Sequence, residues 1–143
     1  FDLVIFDCPP RLTTSTVNAL TTSDYVLIPT KLDERSFEAI PRTLSFLDNL
    51  RPIAQPKILG VVANEVRYWR RPILLKVHQS GMARLRELVT GRYRDTYIFQ
   101  SMVELSTNVA FHREKNVVPA VDDKIRQDVF REVAEELRER IGR

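Results

Sequence analysis

FDLVIFDCPP, residues 1–10, is the stretch on which the fold turns. Phe1, Leu3, Val4, Ile5 and Phe6 make a nearly continuous apolar run, ended by Asp7 and then by Pro9 and Pro10. A short run of this kind, bounded by turn residues, reads as a strand buried on both faces, the habit of parallel sheets. The proline pair fixes φ at two successive residues and gives a stiff exit from the sheet. Open parallel sheets bind their ligands outside the carboxyl ends of the strands. Asp7 stands at that end, where an acid can hold the Mg²⁺ of a nucleotide directly or through a water. An aspartate there can equally cap the turn or helix that follows.

Downstream, strand-like and helix-like stretches alternate. Residues 13–22 form a short Thr-rich helix, and residues 25–28 (YVLI) a second buried strand stopped by Pro29. Phe37, Ile40, Leu44, Leu47 and Leu50 recur at helical spacing, with Pro41 in the first turns, where its cost is smallest. KILGVVA, residues 57–63, is a third strand. Residues 73–89 read as a helix weakened by Gly81, and residues 93–99 as a fourth strand. Residues 106–121 are irregular. A last helix begins near Asp122, with Ile125, Val129, Phe130, Val133, Ala134, Leu137 and Ile141 on one face. Alternation of this type means βαβ units, so the expected fold is α/β: a doubly wound, mostly parallel sheet flanked by helices. Nothing divides residues 1–143 into more than one domain.

Hydrophobic residues make up 43% and charged residues 29%, ordinary for a globular domain rather than a disordered chain. Cys8 is the single cysteine, so no disulfide can form within the chain. No apolar run approaches the roughly 18–20 residues of a membrane span. Phe1 opens directly into the strand-like run with no signal-peptide pattern, which makes the cytoplasm the expected compartment and reads as a cut start. The net charge of +3 conceals an asymmetry. Between Arg67 and Arg94 stand eight basic residues and one acid, Glu87, giving +7 there and −4 over the rest. That imbalance suits a polyanion as partner.

Taken in order, FDLVIFDCPP, TVNAL (16–20) and DYVLIP (24–29) resemble the ParA/MinD family of deviant P-loop partition ATPases. In that family an apolar strand ends in Asp-x-Pro-Pro, then come a helix with Asn-Ala-Leu and a strand ending in Ile-Pro. GVVAN (60–64), DTYI (95–98) and VVPAVD (117–122) continue the series, so the resemblance spans essentially the whole chain. It implies a P-loop NTPase-like fold, incomplete at its N-terminus, with ATP and Mg²⁺ as cofactors. It implies further that Asp7 contacts the Mg²⁺ shell and that Cys8, Pro9 and Pro10 open the nucleotide-sensing switch loop. Asn64 matches a position that meets an adenine edge, though an Asn there can also cap a helix. Phe99 stands where the family usually has proline, and its ring either stacks on a base or fills the core. The family's Gly-Lys-Pro segment is replaced near residues 115–117.

No G-x-x-x-x-G-K-[ST] occurs, and Gly60, Gly81, Gly91 and Gly142 lack the spacing of a phosphate cradle. The resemblance places the P-loop, with its strand and helix, upstream of Phe1. Two expectations follow: this chain by itself does not hydrolyse ATP, and its sheet lacks a central strand, leaving an open edge and apolar surface. His78 and His112 with one cysteine offer no metal-ligand spacing.

In the basic stretch, Arg67, Arg70, Arg71 and Lys76 are interleaved with Tyr68 and Trp69, and Arg84 and Arg86 follow. They read either as a phosphate-contacting surface for non-specific DNA or as a solvated helix face. The polar face of the last helix carries Asp128, Glu132, Glu135, Glu136 and Glu139 among its arginines, so anionic lipid is repelled as much as attracted. That favours packing on the sheet and the DNA-partitioning branch over a membrane partner. The expected protein is a dimer switched by Mg-ATP on the nucleoid, working with a ParB-like adaptor in plasmid or chromosome partitioning. The alternative is a non-catalytic module that only contacts DNA or a protein.

Overall fold

The computed structural model describes residues 1–9, 11, 13–70, 72–92, 96–105 and 124–142. Helix α1, Thr14–Thr22, starts at Thr13, whose hydroxyl accepts the Thr16 N–H at 3.4 Å. Thr21, Thr22 and Ser23 donate their hydroxyls to carbonyls of the preceding turn, which lets so many hydroxyl residues sit in a helix. Strand β1, Tyr25–Thr30, pairs in parallel with β2, Lys57–Ala63. Pro29, expected to end β1, lies inside it opposite Val62. The carbonyl of its neighbour Thr30 accepts from Asn64 at 2.7 Å, so Pro29 turns its missing N–H away from β2 and costs no ladder bond there.

Helix α2, Glu34–Leu50, joins these strands. Its cap is Asp33, which accepts the Ser36 N–H at 2.9 Å. Phe37, Ile40, Leu44, Leu47 and Leu50 are all buried, as their spacing predicts. The helix begins a turn earlier than the periodicity suggests, which places Pro41 inside it rather than in its first turns. An interior proline costs about 3 kcal/mol, offset here by the burial of Phe37, Ile40 and Leu44 around it.

Residues 73–89 do not form one helix. Strands β3, Tyr68–Arg70, and β4, Ile73–Leu74, make an antiparallel hairpin, and helix α3, Lys76–Arg92, follows. Gly81 has a packing role in α3: a Cβ there would lie 2.8 Å from the Cβ of Leu32. The chain then returns beside β2. Val61 donates to the carbonyl of Tyr97 at 2.8 Å, and Phe99 donates to the carbonyl of Val61 at 2.9 Å. Of the expected fourth strand, residues 93–95 lie outside the described residues; Ile98 makes a parallel bridge to Val61. Gly60, with φ +152°, admits this neighbour, since a Cβ would stand 2.6 Å from the Tyr97 carbonyl oxygen.

The core joins Ile28, Val61 and Ala63 of the sheet to Phe37, Ile40, Leu44 and Leu47 of α2 and to Met82, Leu85 and Val89 of α3. The expected α/β arrangement, a mostly parallel sheet with flanking helices, is the one observed. The expectation for the first stretch also fails: residues 1–6 are not a buried strand. Phe1, Leu3, Val4, Ile5 and Phe6 are all exposed, and no ladder holds them. An apolar run is buried as a strand only when a neighbour takes its backbone groups and a second layer covers its side chains. Among the described residues β1 has β2 as its one ladder neighbour, so the sheet is open at the β1 edge.

Helix α4, Lys124–Ile141, closes the described chain. The side chains of Ile125 and Val129 lie outside the described residues, Phe130 is 41% exposed, and Val133, Leu137 and Ile141 are half-buried. Among the described residues no helix is long and apolar enough to cross a membrane.

Candidate functional site

The carboxyl ends of β1 and β2 carry Thr30, Lys31, Asn64 and Glu65. Asn64 continues the ladder by its backbone N–H, and its side-chain Oδ1 accepts the Glu65 N–H at 2.9 Å. It caps no helix. With Oδ1 engaged, Nδ2 is left to donate. Glu65 adopts φ +57°, the left-handed conformation that a non-glycine residue takes only under local constraint. Its carboxylate meets Lys31 Nζ at 2.6 Å, joining the two strand ends. Water reaches both side chains, 51% exposed for Lys31 and 39% for Glu65, so the pair fixes position more than it adds stability.

A second constellation lies at residues 97–101, where Glu136 of α4 gathers four donors. The Tyr97 hydroxyl and the Gln100 N–H each reach Oε1 at 2.8 Å. The Ser101 N–H reaches Oε2 at 2.8 Å, and the Ser101 hydroxyl reaches it at 2.5 Å. One turn on, Arg140 Nε donates to the Leu59 carbonyl at 2.7 Å, and its guanidinium lies 3.9 Å from the centre of the Tyr97 ring. Burial raises the Glu136 pKa, but the bonds from Ser101, Gln100 and Tyr97 outweigh it and hold the carboxyl below the ordinary glutamate value of 4.5. The Glu136 bond, then burial, raises the Tyr97 hydroxyl above its usual value.

The sign of the pH effect follows from the depressed carboxyl. Its contribution to stability is present above the unfolded-state value, 4.5, and is lost as pH falls through the lower folded-state value. The difference in melting temperature between the parent and Glu136→Gln is therefore expected to be constant near neutrality and to shrink below that value. A difference independent of pH down to the acid limit would contradict the carboxylate's role.

Beside this constellation lies a cleft of about 680 Å³ lined by Met82, Arg86, Val89, Phe99, Gln100 and Arg140 among others. Phe99 is 1% exposed and packs edge-on to Tyr97, ring centres 5.6 Å apart. The reading in which its ring stacks on a base gives way to core filling, because the missing side chain of Gly60 opens the slot it occupies.

Asp7, Cys8 and Pro9 are exposed on the segment that joins no ladder, and no hydrogen bond or ion pair among the described residues ties them to Asn64. Pro10 and Arg71 lie outside the described residues, as do His112 and residues 115–122. Arg67 and Arg70 are exposed at the hairpin and Lys76 is exposed at the start of α3, so these three form no helix face. Arg84 pairs with Glu87 at 3.2 Å, and Arg86 borders the cleft. Among the described residues no three His, Cys, Asp or Glu side chains could together hold a metal ion. Asp7 as a lone carboxylate fits an ion whose other ligands come from a nucleotide, and Asn64 Nδ2 fits the acceptor edge of an adenine.

Sequence reasoning missed Glu136, Tyr97 and Arg140. The four-residue spacing of Glu136 and Arg140 puts both on one side of α4, yet nothing in the sequence separates them from the helix's other acids and arginines.

A family model described as an AAA domain matches residues 1–59. The sporulation initiation inhibitor protein Soj of Bacillus subtilis is 42% identical over 45 residues, 32% of this chain and 18% of that protein. The chromosome partitioning protein ParA of Caulobacter vibrioides is 33% identical over 64 residues, 43% of this chain and 24% of that protein. An uncharacterized Mycobacterium tuberculosis protein is 29% identical over 144 residues, 99% of this chain and 43% of that protein. The chain thus spans less than half the length of each of these relatives. Among solved structures, apo McdA of Cyanothece superposes with a TM-score of 0.73 at 22% identity, over 92% of this chain and 51% of McdA. A second McdA structure, an aspartate-to-alanine variant with ATP, gives a TM-score of 0.64 at 20% identity, over 86% of this chain and 45% of McdA.

Proposed function

We propose that this ParA/MinD-like chain is the later part of the ATPase domain of a DNA-partitioning protein, a Mg-ATP-switched dimer that binds DNA without sequence preference. The observation that carries the reading is the match of residues 1–59, Asp7 included, to an AAA-domain family together with partial matches to Soj and ParA. The McdA superposition supports the fold alone. The relatives extend well beyond the matched stretch, and in the longer protein that remainder would supply the phosphate-binding loop. The same part would cover the open β1 edge and the exposed apolar side chains of residues 1–6.

Within this reading, Mg²⁺ supplies charge neutralisation on the phosphates. Asp7 would orient a water toward that ion, Cys8, Pro9 and Pro10 would open the nucleotide-sensing switch loop, and Asn64 would take the adenine edge. Arg67, Arg70, Arg71, Lys76, Arg84 and Arg86 contact DNA phosphates. An adaptor of the ParB type and a second copy of the chain are the expected protein partners, on the nucleoid in the cytoplasm.

DNA binding is tested by titration over a range of salt. Affinity should fall steeply as salt rises, because counterions are released, and should not depend on sequence. Replacing Arg67, Arg70 and Arg71 together by alanine removes up to three phosphate contacts. The log–log salt slope should then shrink by roughly 2 to 3, at about 0.9 per contact. Coincident parent and triple-mutant curves across the titration would remove these arginines from the interface.

A further inference from the structure

The hairpin of residues 68–74 presents an unusual side chain to solvent. Trp69, the chain's one tryptophan, is 74% exposed, and Ile73 on the facing strand and Val77 at the start of α3 are 55% and 64% exposed. The register explains why Trp69 stands out. Tyr68 pairs with Leu74 and Arg70 pairs with Ile73, so the β3 strand holds one extra residue, Trp69, at a β-bulge. A bulge breaks the ladder and re-aims a side chain.

The platform beneath it is seated firmly. Tyr68 and Leu74 pack on the core, and Leu75 donates to the Arg67 carbonyl at 3.0 Å, closing the hairpin's base. Val66, just before it, bonds in both directions to residues 103 and 105. With the backbone fixed, only the side-chain torsions of Trp69 are left to order when it binds something. The exposed cations Arg67 and Arg70 lie within two residues of it along the chain, and exposed Lys76 follows Leu75, whose N–H donates to the Arg67 carbonyl. The ion pairs among the described residues, Lys31–Glu65, Arg42–Glu38, Arg51–Asp48 and Arg84–Glu87, use none of the three.

We propose that this hairpin is a base-stacking platform for single-stranded DNA. Trp69 stacks on an unpaired base while Arg67, Arg70 and Lys76 contact the flanking phosphates. The inference rests on the DNA-binding reading above and names the form of DNA that this surface prefers. Every base has a π-face, so stacking needs no sequence, and a ring among cations is the combination that single-strand binders use. In a duplex the base faces are already stacked on one another, and a rigid two-stranded hairpin reaches them only by unstacking a step. An anionic lipid surface would attract the same cations. Trp69 and Ile73 are, however, the two exposed apolar side chains of the hairpin, with Val77 on α3, and even a whole acyl chain gives only marginal membrane binding by itself.

The test uses the chain with a labelled homopyrimidine single strand, a duplex of matched length, and vesicles of phosphatidylglycerol in phosphatidylcholine. Label anisotropy reads DNA binding, and Trp69 emission reads occupancy of this hairpin without any substitution. Saturable quenching of Trp69 by the single strand, with tighter binding of the single strand than of the duplex at equal salt, is the expected result. Trp69→Ala should then lower single-strand affinity roughly tenfold. Duplex affinity and the melting temperature should stay near parental values. Single-strand binding by anisotropy with unchanged Trp69 emission and an undiminished Trp69→Ala variant would overturn the platform and leave the DNA reading standing. An emission shift with vesicles alone would overturn it in favour of a lipid surface. No anisotropy change with either DNA would overturn both readings.

Discussion

Glu136→Ala should lower the chain's stability by about 2 kcal/mol and loosen α4 from the segment of residues 97–101. The variant removes one carboxylate but leaves several donors without acceptors: the N–H groups of Gln100 and Ser101 and the hydroxyls of Tyr97 and Ser101. A hydrogen bond to a charged group contributes roughly 1.5–3 kcal/mol, and partial solvent access lets water replace some of these, so the sum of four such bonds would overstate the loss. A loss of that size lowers the melting temperature of a chain this long by roughly 6–10 °C. Hydrogen exchange should quicken at the amides of Gln100 and Ser101 before it does in β2, whose ladder does not depend on Glu136. Glu136→Gln keeps an acceptor on one side and turns an amide N–H group toward the other, so it should fall between parent and alanine. Coincident melting of parent and Glu136→Ala would mean that the apolar face of α4, not the carboxylate, seats the helix.

The second large effect concerns turnover, and would be read in a protein that joins this chain to a phosphate-binding loop, as the proposed function requires. Asp7→Asn should reduce Mg²⁺-dependent ATP turnover by about tenfold or more while leaving the melting temperature unchanged. The two roles open to Asp7 diverge on this substitution. Asparagine caps a helix or turn about as well as aspartate, so a capping role would survive it. A role in orienting water on a Mg²⁺ needs the negative charge and would not. Asp7 is exposed in this chain and takes part in no hydrogen bond or ion pair among the described residues, so the fold gives no reason for stability to change. Turnover equal to the parent's, in a variant that melts normally, would end the assignment of Asp7 to the metal.

Local sequence was enough for α2 and β2. The spacing of Phe37, Ile40, Leu44, Leu47 and Leu50 states which face of a helix is buried, and all five are buried. KILGVVA holds too little polarity to be anything but an interior strand, and its last five residues are buried. The ordered motifs of residues 1–29 likewise carried the family resemblance without coordinates, since they are patterns along the chain. What tertiary structure alone decided has partners remote in sequence. Residues 1–6 look like a buried strand by composition, but burial belongs to the neighbours on either side, and among the described residues β1 offers an edge with none. Glu136 reads as one more solvated acid on a polar face. Its partners are backbone N–H groups and hydroxyls 35 to 39 residues away, and a backbone amide is available at almost every position, so no residue pattern marks the pair. The hairpin escaped for a third reason: its strands are three and two residues long, shorter than any periodicity can register, and a one-residue bulge rather than composition turns Trp69 outward.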